Sequence, residues 1–312
     1  MSERHTHSEG TDELWAKAAG CVKAELGGSV RLRQRLGRRR ETRHIWLVEG
    51  PHELITVKAV PAAFRAERAP WTASALDLLR RRGSPVPTIL WQGPLDDRWW
   101  LCVQTMLPGK PLPGLDHSAL DQLLNLVELQ ANSSLGPAGW DLSWWLSVVL
   151  FDGWEGWWDA TYRAVPETAR RLRTFIEPAW AHRLQSTDIV HGGLNTSNVL
   201  VNDGVVSGIV DWDDVGSGSR ALDLTGLLFD WHRRVIASRG EQAPDGNSQL
   251  VRRIVRLAGR NGLRCTVTYY AIARLGLAAQ RAEYDKLQAG RKVVDAILDS
   301  LDDPNLWRSE ET

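Results

Sequence analysis

Cysteine is scarce in this chain. Three residues among 312, Cys21, Cys102 and Cys265, lie far apart. No C-x-x-C pair or Cys/His cluster offers a zinc site, and an odd, sparse count fits a reducing cytosol. A net charge of either sign is also absent, because 38 basic residues balance 38 acidic ones. That removes any general electrostatic case for nucleic acid or an anionic membrane as partner. Long apolar runs are missing too. The longest, around residues 144–151, is too short to cross a bilayer, and the polar stretch from Met1 to Gly10 has no apolar signal core. These absences predict a soluble, cytoplasmic protein. Phe and Tyr are sparse, with 4 of each, yet there are 16 Trp. Their excess is regional, concentrated between Trp140 and Trp180.

With 43% hydrophobic residues, the chain can build one large core or two lobes sharing a cleft. Residues 1–11 and 303–312 are polar and are expected as disordered tails. A short helix is expected over residues 12–26. Two strands follow around a turn between Arg31 and Val48, then strands at Leu54–Val60, Thr88–Trp91 and Trp99–Thr105. One helix, about Phe64 to Arg82, is ended by Ser84-Pro85-Val86-Pro87. After the stiff connector Leu107-Pro108-Gly109-Lys110-Pro111 the apolar spacing turns helical, over 117–132, 141–160, 166–184, 221–237, 248–260 and 264–301 with a break. This change of period separates a β-rich N-terminal domain, residues 12–106, from a largely helical one, residues 107–302. One hairpin interrupts the helical half. Asn198-Val199-Leu200-Val201 pairs with Val206-Ser207-Gly208-Ile209-Val210 across Asn202-Asp203-Gly204, where Asp-Gly is the turn signal.

The residues suited to chemistry flank this hairpin. Ile189-Val190-His191-Gly192-Gly193-Leu194-Asn195-Thr196-Ser197-Asn198 precedes it, and Asp211-Trp212-Asp213-Asp214 follows it. Magnesium demands hard oxygen ligands held at near-octahedral geometry. The hairpin puts Asn198 at the start of one strand and Asp211 at the end of its partner, so their oxygens sit side by side.

This block resembles the catalytic segment of the aminoglycoside phosphotransferase and choline-kinase-like superfamily. Those proteins read His-Gly-Asp, four residues, Asn, a hairpin, then Asp-Trp-Asp or Asp-Phe-Glu. His191, Gly192, Asn198, Asp211, Trp212 and Asp213 match. So do the stretch Gly216 to Leu224, with Asp223-Leu224 retained, Lys58 on the third strand and Pro85-Val86-Pro87. The resemblance runs over roughly residues 30–235. It implies an α+β, protein-kinase-like two-lobed fold that binds ATP (or GTP) and Mg2+. It further implies that Asn198 and Asp211 hold the metal and that Lys58 pairs with the α- and β-phosphates. The hinge from Gln104 through Met106 to Leu107 would bind adenine through its backbone. His191 would brace the catalytic loop, and Asp223 would anchor it through backbone amides.

One motif position departs. Gly193 stands where the family has the aspartate that orients and deprotonates the acceptor hydroxyl. Glycine cannot act as a base, and general-base help is worth ~10²–10⁴-fold. Two readings therefore stay open. The first is an ATP-dependent phosphotransferase acting on a hydroxyl of a small molecule, slow or with an atypical base such as Asp213 or Asp214. The second is a catalytically impaired pseudokinase or binding protein that keeps the nucleotide and Mg2+ site.

Other positions carry paired readings. The turn Gly37-Arg38-Arg39-Arg40-Glu41-Thr42 replaces a glycine-rich one. Arg39 and its neighbours offer bidentate donors to phosphates, form a solvated basic turn, or recruit an acidic partner. The resemblance implies a helix glutamate paired with Lys58; its usual place falls near Thr72, and the nearest candidate, Glu67, lies more than a turn early. Trp154, Trp157 and Trp158, at i, i+3 and i+4, are expected to share a helical face, accompanied by Asp152, Glu155 and Asp159. They would line a pocket for a cationic or ring-bearing acceptor, or pack helix on helix.

Overall fold

A computed structural model describes residues 3–40, 43–64, 67–136, 140–180 and 182–302, excepting the side chains of 3–11, 37–40, 43 and 64. The chain divides into two compact units, residues 1–108 and 109–312.

The first unit begins with helix α1 (Glu3–Leu26), which is longer than the helix expected over residues 12–26. Strands β1 (Arg31–Arg40), β2 (Arg43–Glu49) and β3 (Leu54–Pro61) follow, then α2 (Ala69–Arg81), β4 (Ile89–Pro94) and β5 (Trp99–Thr105). The strands form one antiparallel sheet in the order β1-β2-β3-β5-β4. Side chains alternate across a strand, and this sorts β3 into two faces. Ile55, Val57 and Ala59 join Trp46, Val48, Leu101 and Val103 in a core covered by Leu14, Ala18 and Val22 of α1, spaced i, i+4, i+8. Trp15 adds an aromatic contact to Trp46, with ring centroids 5.4 Å apart. Lys58 falls on the other face, opposite Ile45 and Cys102 in the ladder, and is only 5% exposed. Helix α2 starts later than the Phe64 expected. Ala62–Phe64 form a 3-10 turn, and Pro70 sits in the first turn of α2, where its missing N–H costs nothing.

The second unit runs β6 (Lys110–Pro111), α3 (His117–Glu128), α4 (Leu142–Phe151), α5 (Trp157–Ala164), α6 (Pro166–Ile176), β7 (Asp188–Val190), β8 (Val199–Asn202), β9 (Val205–Ile209), β10 (Gly216–Gly218), α7 (Ala221–Ile236), α8 (Gly246–Gln280) and α9 (Tyr284–Leu301). Aspartates cap two of the helices: Asp116 accepts from the Ala119 N–H at 2.8 Å and Asp141 from the Trp144 N–H at 2.9 Å. The helix expected over 141–160 is broken, because Gly153, Glu155 and Gly156 all take positive φ (70°, 69° and 62°). The helix expected over 166–184 stops at Ile176, before a 3-10 turn containing Pro178. Strands β6, β8 and β9 make a small sheet, and β7 pairs with β10. The β8–β9 turn is Asp203-Gly204 with φ of 51° and 77°, the mirror-image geometry that suits a two-residue hairpin. Helix α8 is kinked at Gly259 (φ 70°, ψ 174°), close to the break expected between residues 260 and 264, and packs against α4, α5, α6, α7 and α9. Among the described residues no helix is long and apolar enough to cross a membrane.

Trp46 is 1% exposed and joins α1 to the sheet. Trp46→Ala should cost about 3–5 kcal/mol. Urea unfolding followed by far-UV circular dichroism checks this, and a loss well under 1 kcal/mol would contradict the packing described.

Candidate active site

The second unit assembles its polar residues around a buried carboxylate. Asp223, in the first turn of α7, is wholly buried. It accepts from the His191 N–H at 2.7 Å, the Gly192 N–H at 3.0 Å and Gln130 Nε2 at 3.1 Å. Burial pushes its pKa up, and the electrostatic interaction with His191 and these donors offset part of the rise. Consecutive N–H groups can converge on one carboxylate because Gly192 takes φ +80°. A Cβ there would lie 2.5 Å from the Asp214 carbonyl oxygen.

His191 is 1% exposed and spans the loop and the hairpin. Its Nδ1 accepts from the Gly193 N–H at 3.2 Å. The ring proton is thereby assigned to Nε2, which lies 2.9 Å from the Val210 carbonyl and donates to it. The ring packs on Trp212 at 4.5 Å between centroids, and Trp212 Nε1 donates to the Ile209 carbonyl at 2.8 Å. The Gly193 carbonyl accepts two amides, Asn195 Nδ2 at 2.8 Å and Asn198 Nδ2 at 3.1 Å. The Val210 N–H donates to the Asn198 carbonyl at 2.8 Å, which leaves Asn198 and Asp211 one residue out of register at the mouth of the hairpin. Asp211 takes the left-handed conformation (φ 68°, ψ 49°) and leads into the 3-10 turn Trp212–Asp214. Aspartate is among the few non-glycine residues that tolerate this region. A cation would find one amide oxygen and one carboxylate here. Among the described residues no group of three or more His, Cys, Asp or Glu could hold a metal.

Gly193 is unlike Gly192. Its φ is not in the left-handed region, and a Cβ built on it would meet only His191 Nδ1, at 3.9 Å. The position has room for a side chain. Asp213 is half-buried, and its Oδ2 is shut off from solvent.

Sequence reasoning missed a second carboxylate hub. Asp230, seven residues after Asp223 on the buried face of α7, accepts from the Thr196 N–H at 3.0 Å and the Thr196 hydroxyl at 2.5 Å. Arg233 Nε donates to it at 2.9 Å and Arg234 Nε at 3.2 Å. Arg234 also reaches the Thr196 hydroxyl and the Pro113 carbonyl. Burial pushes Asp230 up, but Thr196 and Arg233 outweigh it and hold the carboxyl below its usual range. The available signal was helical spacing, which puts a second acid two turns beyond Asp223 on the same face. A third brace is Arg220, which pairs with Asp188 at 3.1 Å and Glu128 at 3.0 Å.

The structure thus brings His191, Gly193, Asn198, Asp211 and Asp213 to one region of the second unit. Lys58, Gln104 and Met106 lie in the first unit. The Met106 N–H donates to the Leu54 carbonyl at 3.2 Å, and the Gln104 carbonyl accepts the Thr56 hydroxyl at 3.5 Å. Glu67 is exposed and precedes α2, so it is not a helix glutamate, and Thr72 bonds the Arg68 carbonyl at 3.2 Å. The Arg39 side chain lies outside the described residues.

The tryptophan expectation needs correction. The positive-φ residues 153, 155 and 156 put Trp154 in a 3-10 turn and start α5 only at Trp157, so the three rings share no helical face. Trp154 is 60% exposed and Trp158 is 8% exposed. Trp158 Nε1 donates to the Leu150 carbonyl at 3.1 Å. Internal cations already cover nearby rings: Arg173 lies over Trp180 at 4.0 Å and Trp158 at 5.7 Å, and Arg183 lies over Phe151 at 5.0 Å.

This fold and loop define a class. The chain matches the model of the phosphotransferase enzyme family over residues 34–253 and belongs to that family. Its fold is protein-kinase-like, with an N-terminal antiparallel-sheet lobe and a mostly helical C-terminal part. The aminoglycoside phosphotransferase APH(4)-Ia superposes with a TM-score of 0.67 at 14% identity, covering 91% of this chain and 98% of that one. A thermostable mutant of APH(4)-Ia in ternary complex with AMP-PNP and hygromycin B gives 0.69 at 13% identity, over 92% and 99%. A Haemophilus somnus protein described as a candidate fructosamine-3-kinase gives 0.56 at 15% identity, over 91% and 97%. Comparison with curated proteins finds no match.

Two outcomes test this geometry. Gly192→Ala forces a strained φ and a backbone clash, and should cost about 1–3 kcal/mol. Gly193→Ala, one residue on, should stay within about 0.5 kcal/mol of wild type. Equal losses by thermal unfolding would refute the distinction. The second outcome concerns Asp230. Because its folded pKa is depressed, it stabilises the fold above its unfolded value of about 3.9, and that stability is lost as pH falls through the lower folded value. Asp230→Asn should lower stability at pH 7 by about 1.5–3 kcal/mol and flatten the acid limb of a stability–pH curve. Parallel acid limbs in variant and wild type would exclude the hub.

Proposed function

We propose that the protein is an ATP-dependent phosphotransferase that moves a γ-phosphate to the hydroxyl of a small-molecule acceptor. One observation carries the reading most: the loop scaffold is complete around Gly193. Asp223 holds His191 and Gly192, and His191 and two asparagine amides hold Gly193.

The residues fit a nucleotide-bound Mg2+. Asn198 spends its amide N–H on the Gly193 carbonyl, which leaves Oδ1 as the group for a cation, and Asp211 supplies a carboxylate. A bound magnesium bridges phosphate oxygens and neutralises their charge. Lys58, 5% exposed on β3, would meet the α- and β-phosphates. Adenine would use hinge groups other than the Met106 N–H, which the sheet already takes. His191 would act as a positioning residue, holding the loop from within. Asp213 would serve as substitute base only through Oδ1.

Gly193 itself favours a second reading, in which the chain binds nucleotide and Mg2+ but transfers phosphate slowly or not at all. A thermal-shift titration with ATP, or GTP, and Mg2+ separates nucleotide binding from its absence. A ligand at 100 times its Kd adds about 2.7 kcal/mol, and Asp211→Ala should abolish the magnesium-dependent part. An unchanged shift in Asp211→Ala would refute the metal assignment. Gly193→Asp has room for its side chain and should raise phosphotransfer by about 10²–10⁴-fold. Parity of Gly193→Asp and wild type, measured as ADP release with a verified acceptor, would count against a merely missing base.

A further inference from the structure

Helices α7 and α8 carry an unbalanced charge beside the loop. Thr225 hydrogen-bonds Thr266 at 2.8 Å, and the Phe229 and Tyr270 rings lie 5.6 Å apart. Each step advances four residues on both helices, so the helices run the same way here. The next pair in register is Arg233 with Arg274. Arg233 is tied to Asp230. Arg274 is exposed, with its stem against α9 at Gly290, where Cγ and Cδ lie 3.5 and 3.6 Å from the position of an added Cβ. Among the described residues it makes no hydrogen bond or ion pair. Partial desolvation and then the Arg233 charge lower its pKa, while Asp230 and Tyr270 oppose them. Arg233 and Arg234 bond Asp230, which is already shared with Thr196, and the register brings Arg274 within electrostatic reach of Arg233 and Asp230.

This cluster abuts the loop. Asp230 holds Thr196, three residues after Gly193. At Gly226, an added Cβ would lie 2.6 Å from the Leu194 carbonyl and 3.1 Å from the Tyr270 hydroxyl, so α8 meets the loop one turn before Arg274. Two facing guanidinium groups repel each other unless an anion lies between them, and their planar forks match carboxylate and phosphate oxygens.

We propose that Arg233 and Arg274 form an anion-binding subsite, and that the acceptor is a hydroxyl compound bearing a carboxylate or phosphate. The acceptor half rests on the phosphotransferase reading, while the subsite stands without it.

The test uses the full chain with saturating ADP and Mg2+, so that the nucleotide site does not take the probe. Inorganic phosphate, lactate and 3-phosphoglycerate are titrated at millimolar levels by thermal shift and calorimetry. Phosphate and lactate separate the two anion chemistries. Wild type should bind at least one probe, and Arg274→Gln and Arg233→Gln should each weaken it about tenfold or more, as expected for a charge-assisted hydrogen bond. Arg274→Lys should retain part of the affinity. It also serves as the second variant if Arg274→Gln melts early without probe. Probe affinity unaffected by Arg274→Gln, or no probe binding to wild type, overturns the subsite. No ADP shift with an intact probe response would remove the acceptor half and the phosphotransferase reading, and leave the subsite supported.

Discussion

The second unit depends on one buried carboxylate. A carboxylate removed from water costs several kcal/mol unless donors replace its hydration. Asp223 obtains two such donors from consecutive backbone N–H groups, and so it dictates the path of the chain at His191 and Gly192. The constraint then propagates. The fixed His191 ring takes the Gly193 N–H on one side and gives a proton to the Val210 carbonyl on the other, which ties the loop to the end of the hairpin. That hairpin end carries Asn198 and Asp211. Removing the Asp223 charge would loosen every one of these links, though Asp223 itself has no exposed surface with which to touch a ligand.

The position of Gly193 takes its meaning from this chain of contacts. Glycine loses more backbone freedom on folding than any other residue, so a loop glycine tends to drift unless it is held. Here its N–H is taken by His191 and its carbonyl by two asparagine amides. The backbone that would aim a catalytic side chain is held although no side chain is present. The bonds also stabilise the fold, so they are compatible with an enzyme and with a binding protein alike.

Much of this was legible in the sequence, for identifiable reasons. The Asn-hairpin-Asp spacing and the Asp203-Gly204 turn are local codes, and local codes survive folding. The strands at Leu54 and Trp99 likewise declare themselves by apolar content. Three things were not legible. The break at residues 153–156 was hidden because Trp154, Trp157 and Trp158 fit helical spacing, while positive φ at Glu155 overrides it. The Asp230 hub depends on Thr196, 34 residues away in the chain. The Arg233–Arg274 pairing depends on the register between two helices, which no single-segment pattern encodes.

Charge recognition in the helical unit follows from what its aromatic rings already hold. An exposed indole face suits a cationic ligand only if it is vacant. Arg173 covers Trp180 and Arg183 covers Phe151, so part of the tryptophan-rich segment is neutralised by the protein's own cations. Two buried carboxylates at the loop are occupied as well, Asp223 by backbone amides and Asp230 by Thr196 and two arginines. Arg274, one turn beyond Tyr270 on α8, adds a further cation to the Arg233–Asp230 group. Net charge near zero over the whole chain conceals this, because the balance is global while recognition is decided within a few ångströms. A family fold therefore does not fix the sign of the ligand it accepts. The side chains that two packed helices turn toward the same loop do.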